Sequence, residues 1–310
     1  MRVGLNDVDG HNYPNIALMK ISAYHKSIGD EVEWYDALFG GWYDKVYMSK
    51  VFGFSQDYQY PINATEIEQG GTGYCIDYVN GKEIYHKERD NQLPNEIEHI
   101  YPDYSLYPNM TKNTAYGFMS RGCPRGCNFC IVKDKEGLCS TKVADLKEFW
   151  NGQKYIELLD PNTLACKEWK DILKQLIDSK AVVNFNQGLD IRMMTEEKAM
   201  MLSNIQTNMI HFAWDRYEDK EMILPKFEMF RKASKVNERN LSVYVLTNYD
   251  TTIEQDLERI YTLRDMGYTP YVMIYDKEHL PRNAEIKRVQ RWCNNRFIFR
   301  SCLNYEDYKQ

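Results

Sequence analysis

The chain has 310 residues, 43% hydrophobic and 27% charged, the balance of a globular protein able to bury a core in one large domain or two ordinary ones. Its net charge of −6 argues against a surface that attracts phosphate backbones, so nucleic acid is not a favoured partner. No apolar run approaches the ~20 residues of a membrane-spanning helix, and Met1–Asp7 turns polar too early for a signal peptide. The expected location is the cytoplasm, with no membrane partner.

From the N-terminus, Arg2–Asn6 reads as a strand and Pro14–Ser27 as a helix, with Pro14 in its first turn and Gly29 past its end. Glu31–Tyr35 and Lys45–Ser49 are further strands, and Ala64–Gln69 runs into Gly70-Gly71-Thr72-Gly73. Residues 1–75 are expected to form a small α/β domain. Residues 76–114 hold Pro94, Pro102 and Pro108 among many polar and Tyr residues, the composition of an ordered, irregular connector.

From residue 115 short β-type runs alternate with helical patterns. The predicted strands are Ala115–Met119, Tyr155–Leu159, Val182–Asn186, Met209–Ala213, Ser242–Thr247 and Pro270–Tyr275. They are mostly apolar on both faces, as parallel strands covered by helices are. In Cys166–Ser179 an apolar stripe repeats with helical spacing through Trp169, Ile172, Leu173, Leu176 and Ile177. Thr195 is an N-cap followed by Glu196 and Glu197. Thr252 and Gln255 make a capping box, and Gly267 ends that helix. Lys226, Arg231, Lys232, Lys235 and Arg239 fall on one helical stretch, read as a solvated face.

Strand–helix alternation implies an α/β fold with right-handed crossovers. Residues 115–303 make 189 positions, room for roughly six βα units at about 30 residues each and too few for an eightfold barrel of about 250. A partial (β/α)6 TIM-like barrel is expected there, preceded by the small Rossmann/flavodoxin-like α/β domain. Residues 304–310 form a tail.

Eight cysteines without a secretory signal point to metal or redox chemistry rather than a disulfide framework. Cys123, Cys127 and Cys130 make a C-x3-C-x2-C array directly after a predicted strand. Three thiolates on one loop can hold three irons of a cubane cluster and leave the fourth open for chemistry. Gly122 and Gly126 let the loop wrap closely. The alternative is a structural zinc site with Cys139 as fourth ligand, although the second C-x2-C clip usual in such sites is missing.

The run Cys123-Pro124-Arg125-Gly126-Cys127-Asn128-Phe129-Cys130 resembles the radical S-adenosylmethionine (SAM) signature, C-x3-C-x-aromatic-C, placed after the first strand of a six-unit partial barrel. Pro102-Asp103-Tyr104 and Ser120-Arg121-Gly122-Cys123 resemble the subgroup with an N-terminal cobalamin-binding-like domain and the related methylthiotransferases. The resemblance spans most of the chain, and only the cysteine motif is highly specific. It implies a [4Fe–4S] cluster on Cys123, Cys127 and Cys130, with SAM chelating the open iron through its amino and carboxylate groups. One electron, from a donor such as flavodoxin or ferredoxin, would then give methionine and a 5′-deoxyadenosyl radical that abstracts hydrogen from an unknown substrate.

The resemblance also implies cofactor-binding residues. Phe129 would lie near the adenine, or serve as a core residue. Glu157-Leu158-Leu159-Asp160-Pro161-Asn162 stands where a Gly-Gly-Glu-like motif is usual, with Asp160 as the acceptor for the SAM ammonium, or as part of a turn. Asn186, Gln187, Asp190 and Arg192 cluster where the family contacts ribose or carboxylate, and Arg192 could pair with the carboxylate as a fork. Asp215, Asn248 and Tyr275 end later strands, on the face where such sheets bind ligands. Asp190 and Asp215 equally suit helix caps.

Cobalamin is the weaker cofactor expectation. Asp9-Gly10-His11-Asn12-Tyr13-Pro14 resembles the cobalamin-binding Asp-x-His-x-x-Gly, with Pro14 where Gly belongs, and Gly70-Gly71 resembles the later glycine pair. Cys75, Cys139, Cys166, Cys293 and Cys302 form no paired clip; most read as small buried residues, Cys293 and Cys302 as redox or hydrogen-donor alternatives. Hydrogen abstraction from an unspecified substrate ranks first, cobalamin-dependent methyl transfer second, and methylthiolation of transfer RNA third. The rival from another class is a non-catalytic module in which Cys123, Cys127, Cys130 and Cys139 hold zinc.

Overall fold

The computed structural model describes residues 1–79 and 82–309. It has two compact units: one of residues 1–118, 122–138 and 143–156, the other of residues 119–121, 139–142 and 157–310. Both are built on parallel sheets, so the chain is of the α/β class.

In the first unit β1 (Arg2–Asp7), β2 (Glu31–Trp34), β3 (Tyr43–Ser49) and β4 (Ala64–Gly70) form a parallel sheet in the order β2-β1-β3-β4. Val3 and Leu5 of β1 pack with Leu18 and Ile21 of α1 (Ile16–Ser27), while Tyr43, Val46 and Met48 of β3 form a second cluster. Between these, Gly4 lets the Tyr43 ring close on the sheet, since a Cβ there would stand 3.0 Å from it.

The first helix begins at Ile16, and Pro14 lies before it rather than in its first turn. Asn15 decides this, because it can cap and Pro14 cannot. Its Oδ1 accepts from the Leu18 N–H at 3.2 Å, and its Nδ2 donates to Ser49 Oγ at 2.8 Å. The expected connector is more regular than its composition suggests. It carries the antiparallel hairpin β5 (Ile76–Val79) and β6 (Lys82–Tyr85), then the short helices α2 (Asn95–Glu98) and α3 (Pro108–Thr111). Tyrosines fasten it: Tyr107 OH donates to Asp7 Oδ2 at 2.7 Å and Tyr104 OH to the Phe149 carbonyl at 2.6 Å. This unit also contains β7 (Thr114–Gly117) and α4 (Val132–Lys135).

The second unit opens with a two-residue antiparallel pair, β8 (Ser120–Arg121) with β9 (Thr141–Lys142). The division between units falls inside β10 (Tyr155–Leu158), followed by β11 (Val182–Phe185). Next come β12 (Ile210–Trp214), β13 (Leu241–Thr247) and β14 (Thr269–Ile274), which pair in parallel. Parallel bridges Val182–Gln206 and Leu189–Phe212 join the β11 segment to the β12 segment. Helices α5 (Trp169–Ser179), α6 (Glu196–Leu202), α7 (Lys220–Ala233) and α8 (Ile253–Asp265) connect successive strands, and α9 (Glu285–Asn294) and α10 (Arg296–Ser301) follow the last.

Three expectations need correction here. Helix α5 starts three residues later than Cys166, which is extended after a 3-10 turn, and α7 ends at Ala233, leaving Lys235 and Arg239 outside it. More consequentially, the strands of this unit are consistently apolar on one face, while the other mixes polar and aromatic residues with Val182, Ala213, Leu246 and Met273. Ile210, Phe212, Trp214, Val243, Val245 and Val272 are buried, with Phe212 edge-on to Phe227 and Phe230 of α7. The alternate positions carry Glu157, Asn184, His211, Tyr244 and Tyr271. Among the described residues no helix is long and apolar enough to cross a membrane.

Loss of both Asn15 bonds, an N-cap and a buried side-chain pair, should cost about 1–3 kcal/mol. Asn15→Ala is expected to lower the urea midpoint accordingly; an unchanged midpoint would contradict the bracing role.

Candidate functional site

The cysteine loop belongs to the first unit. It folds back on itself: the Gly122 N–H donates to Glu136 Oε2 at 3.0 Å, and the Cys123 N–H to the Gly137 carbonyl at 3.2 Å. The Cys130 N–H donates to the Cys127 carbonyl at 3.1 Å, closing a turn between the last two cysteines. Gly122 and Gly126 have φ of +87° and +58°, which L side chains rarely adopt. Cys123, Cys127, Cys130 and Phe129 are all half-buried, whereas Cys139 is exposed.

Among the described residues no three His, Cys, Asp or Glu side chains are gathered in a metal-holding arrangement. The donor set nevertheless fits an iron–sulfur cluster: three soft thiols within eight residues, on a loop whose glycines permit a tight wrap.

In the second unit Asp160 is 4% exposed and its carboxylate is filled. It accepts from the backbone N–H groups of Met119 at 2.7 Å and Ser120 at 2.9 Å, from Ser120 Oγ at 2.6 Å and from Thr163 Oγ1 at 3.3 Å. Burial pushes its carboxyl up to about 6, outweighing the opposing hydrogen bonds from Ser120 and Met119. An ammonium ligand would have to share two oxygens with four donors already seated. The geometry displays a bracket on the residues that lead into Gly122-Cys123.

Arg192 is likewise engaged. Its Nε donates to Asp190 Oδ1 at 2.7 Å and its Nη1 to Asp219 Oδ2 at 3.0 Å, while Asn162 Nδ2 donates to Asp190 Oδ2 at 3.2 Å. Asp190 also caps the turn Ile191–Met193 through the Arg192 N–H at 3.1 Å. Asp215, next to this group, is raised to about 6 by burial, with Arg192 and Arg259 pulling the other way. Asn248 holds a left-handed φ of +63°, and its Nδ2 donates to the Tyr275 carbonyl at 2.9 Å. A non-glycine residue in that region at a strand end marks a backbone held by its surroundings. Asn186 Oδ1 accepts from Asn184 Nδ2 at 2.8 Å, and the same Nδ2 donates to Glu157 Oε2 at 2.7 Å.

The structure thus joins Asp190, Arg192 and Asp215, and separately Asn248 and Tyr275. It adds residues that sequence reasoning passed over. Arg259 of α8 is 0% exposed; it donates to the carbonyls of Trp214 at 2.7 Å, Asp215 at 3.2 Å and Leu246 at 2.7 Å, and pairs with Asp256. It ties together the C-terminal ends of β12 and β13, where Asp215 and Asn248 sit. Its only sequence signal is a charged residue within the apolar stripe of Ile253, Leu257 and Ile260, a place where Arg is rarely found buried. In the first unit His11, at φ +61°, packs edge-on against Trp34 at 4.2 Å.

Asp160→Asn puts an amide N–H2 where donors point, and should cost about 2–3 kcal/mol in urea unfolding; equal stability would contradict the bracket. For Asp215 the folded value of about 6 lies above the unfolded one, about 3.9. The folded state therefore holds the extra proton, and this stabilisation is full below about pH 4 and lost as pH rises through about 6. Asp215→Asn should flatten part of that decline, and an unaltered pH profile would contradict the assignment. No protein-family model matches the chain, and no curated protein matches it.

Proposed function

We propose that this chain is a cytoplasmic radical SAM enzyme. The observation that carries the reading is the loop from Cys123 to Cys130, with three thiols at C-x3-C-x2-C spacing and left-handed glycines at Gly122 and Gly126. In finer terms the series of strands β7 and β10–β14 with the helices between them, within residues 115–303, suits a partial (β/α)6 barrel, and the β2-β1-β3-β4 order suits a flavodoxin-like domain. A [4Fe–4S] cluster on Cys123, Cys127 and Cys130, reduced by flavodoxin or ferredoxin, would supply the electron that splits SAM into methionine and a 5′-deoxyadenosyl radical.

The chain's own residues bind, orient and seal. Asp160 fixes Met119 and Ser120, so the residues before Gly122 enter the loop in one conformation. Phe129 offers a ring between two ligands. Asp190 and Asp219 occupy the guanidinium of Arg192, which makes Arg192 a positioning residue for the strand ends. Asp215, Asn248 and Tyr275, at the ends of β12, β13 and β14, are left to meet SAM or substrate.

Anaerobic incubation of the iron-reconstituted protein with SAM and dithionite should yield 5′-deoxyadenosine. Cys127→Ala should abolish it and Cys139→Ala should spare it. Colourless protein with stoichiometric zinc that is lost in Cys139→Ala would sink the enzyme reading in favour of a zinc module.

A further inference from the structure

Parallel sheets are ordinarily covered on both faces. On the second unit's strands the face opposite the apolar core instead mixes polar and aromatic side chains with Ala213, Leu246 and Met273, and parts of it are open: Tyr271 is 46% and Met273 47% exposed. The rings there are arranged unlike those in the core. His211 and Tyr244 lie face to face, 4.8 Å between centroids and 2° apart in plane, with Tyr271 edge-on to Tyr244 at 5.9 Å. Core rings such as Phe212 with Phe227 and Phe230 pack edge-to-face instead. Gly188 presents no side chain to the pair, where a Cβ would come within 3.5 Å of the Tyr244 ring.

Two further features lie on the same face. His211 Nδ1 is buried with no hydrogen-bond partner, a condition folded proteins rarely leave unmet. Burial and Arg296 hold the His211 imidazole below its usual range and so neutral. On the neighbouring strands Glu157, Asn184 and Asn186 form a hydrogen-bonded row through Asn184 Nδ2. That row leaves a second Glu157 oxygen, the Asn184 carbonyl and the Asn186 amide group as further acceptors and donors. Bridges at Val182–Gln206 and Leu189–Phe212 place the β11 segment beside β12, the strand next to Tyr244 of β13.

We infer that this face binds a planar heterocycle of the nucleobase type, stacked on the His211–Tyr244 pair with its polar edge read by Glu157, Asn184 and Asn186. A plain phenyl ring would use the platform and leave the polar row unmet, whereas a nucleobase has both a π-face and a donor–acceptor edge. The assignment of that ring as the substrate rests on the radical SAM reading, while its binding does not.

The 310-residue protein, without reconstitution, is titrated with adenosine, guanosine, cytidine and uridine by saturation-transfer NMR. At least one should bind. His211→Ala and Tyr244→Ala should each weaken it about tenfold or more, and Tyr244→Phe, which keeps the ring, should retain it. The proposal fails if none of the four binds, or if alanine variants with wild-type circular dichroism bind as wild type does. It fails as a substrate site if saturating SAM displaces the nucleoside, which would give the platform to the adenine of SAM. Cleavage of SAM without nucleoside binding sinks this inference alone; nucleoside binding without cleavage sinks only the enzyme reading.

Discussion

A buried carboxylate fixes the course of the residues just before the cysteine loop. Asp160 lies two residues past β10, and from there it takes two N–H groups and a hydroxyl from Met119 and Ser120 and a second hydroxyl from Thr163. Hydrogen bonds to a charged acceptor are worth roughly 1.5–3 kcal/mol each, and a buried donor left without a partner costs a comparable amount. The segment before Gly122 therefore has one low-energy course. Burial still outweighs the donors, since the carboxyl is raised to about 6. The bracket is thus intact at neutral pH and loosens when the carboxyl takes a proton and loses an acceptor.

The same device recurs at the other strand ends with the charge reversed. Arg259 is fully buried, and its guanidinium spans carbonyls from two adjacent strands while Asp256 neutralises it. An isolated buried charge would be severely destabilising, so the partners and the position form one unit. The capping box of Thr252 and Gln255 fixes where α8 begins, and hence which turn delivers Arg259. Beside these anchors Asp215 and Asn248 follow their strands with short polar side chains, and Asn248 keeps a left-handed backbone.

The two sheets use their second faces differently. In the first unit both sides of β1 and β3 are packed, one against α1 and the other in the cluster of Tyr43, Val46 and Met48. In the second, one face is closed by helices and the other carries stacked rings and a polar row. Covering only one face forgoes apolar burial worth about 25 cal/mol per Å2, a loss that a ligand-binding surface would explain.

The sequence by itself determined what is local and covalent. The thiol spacing of Cys123, Cys127 and Cys130, the glycines beside them, the capping box of α8 and the alternation of strands with helices are properties of short windows. Each strand expected from the sequence lies within a residue or two of its place for that reason, whereas the antiparallel pairs β5–β6 and β8–β9 were not anticipated. Only the tertiary structure decided what depends on partners far along the chain. Asn15 rather than Pro14 starts α1 because Ser49, 34 residues away, receives its amide. Asp160 is a bracket because its donors lie 40 and 41 residues earlier, and Arg259 is buried because carbonyls up to 45 residues away meet it. The open ring face stayed hidden for the same physical reason: His, Tyr and Asn at alternate strand positions look like core until neighbouring strands show which side the helices cover.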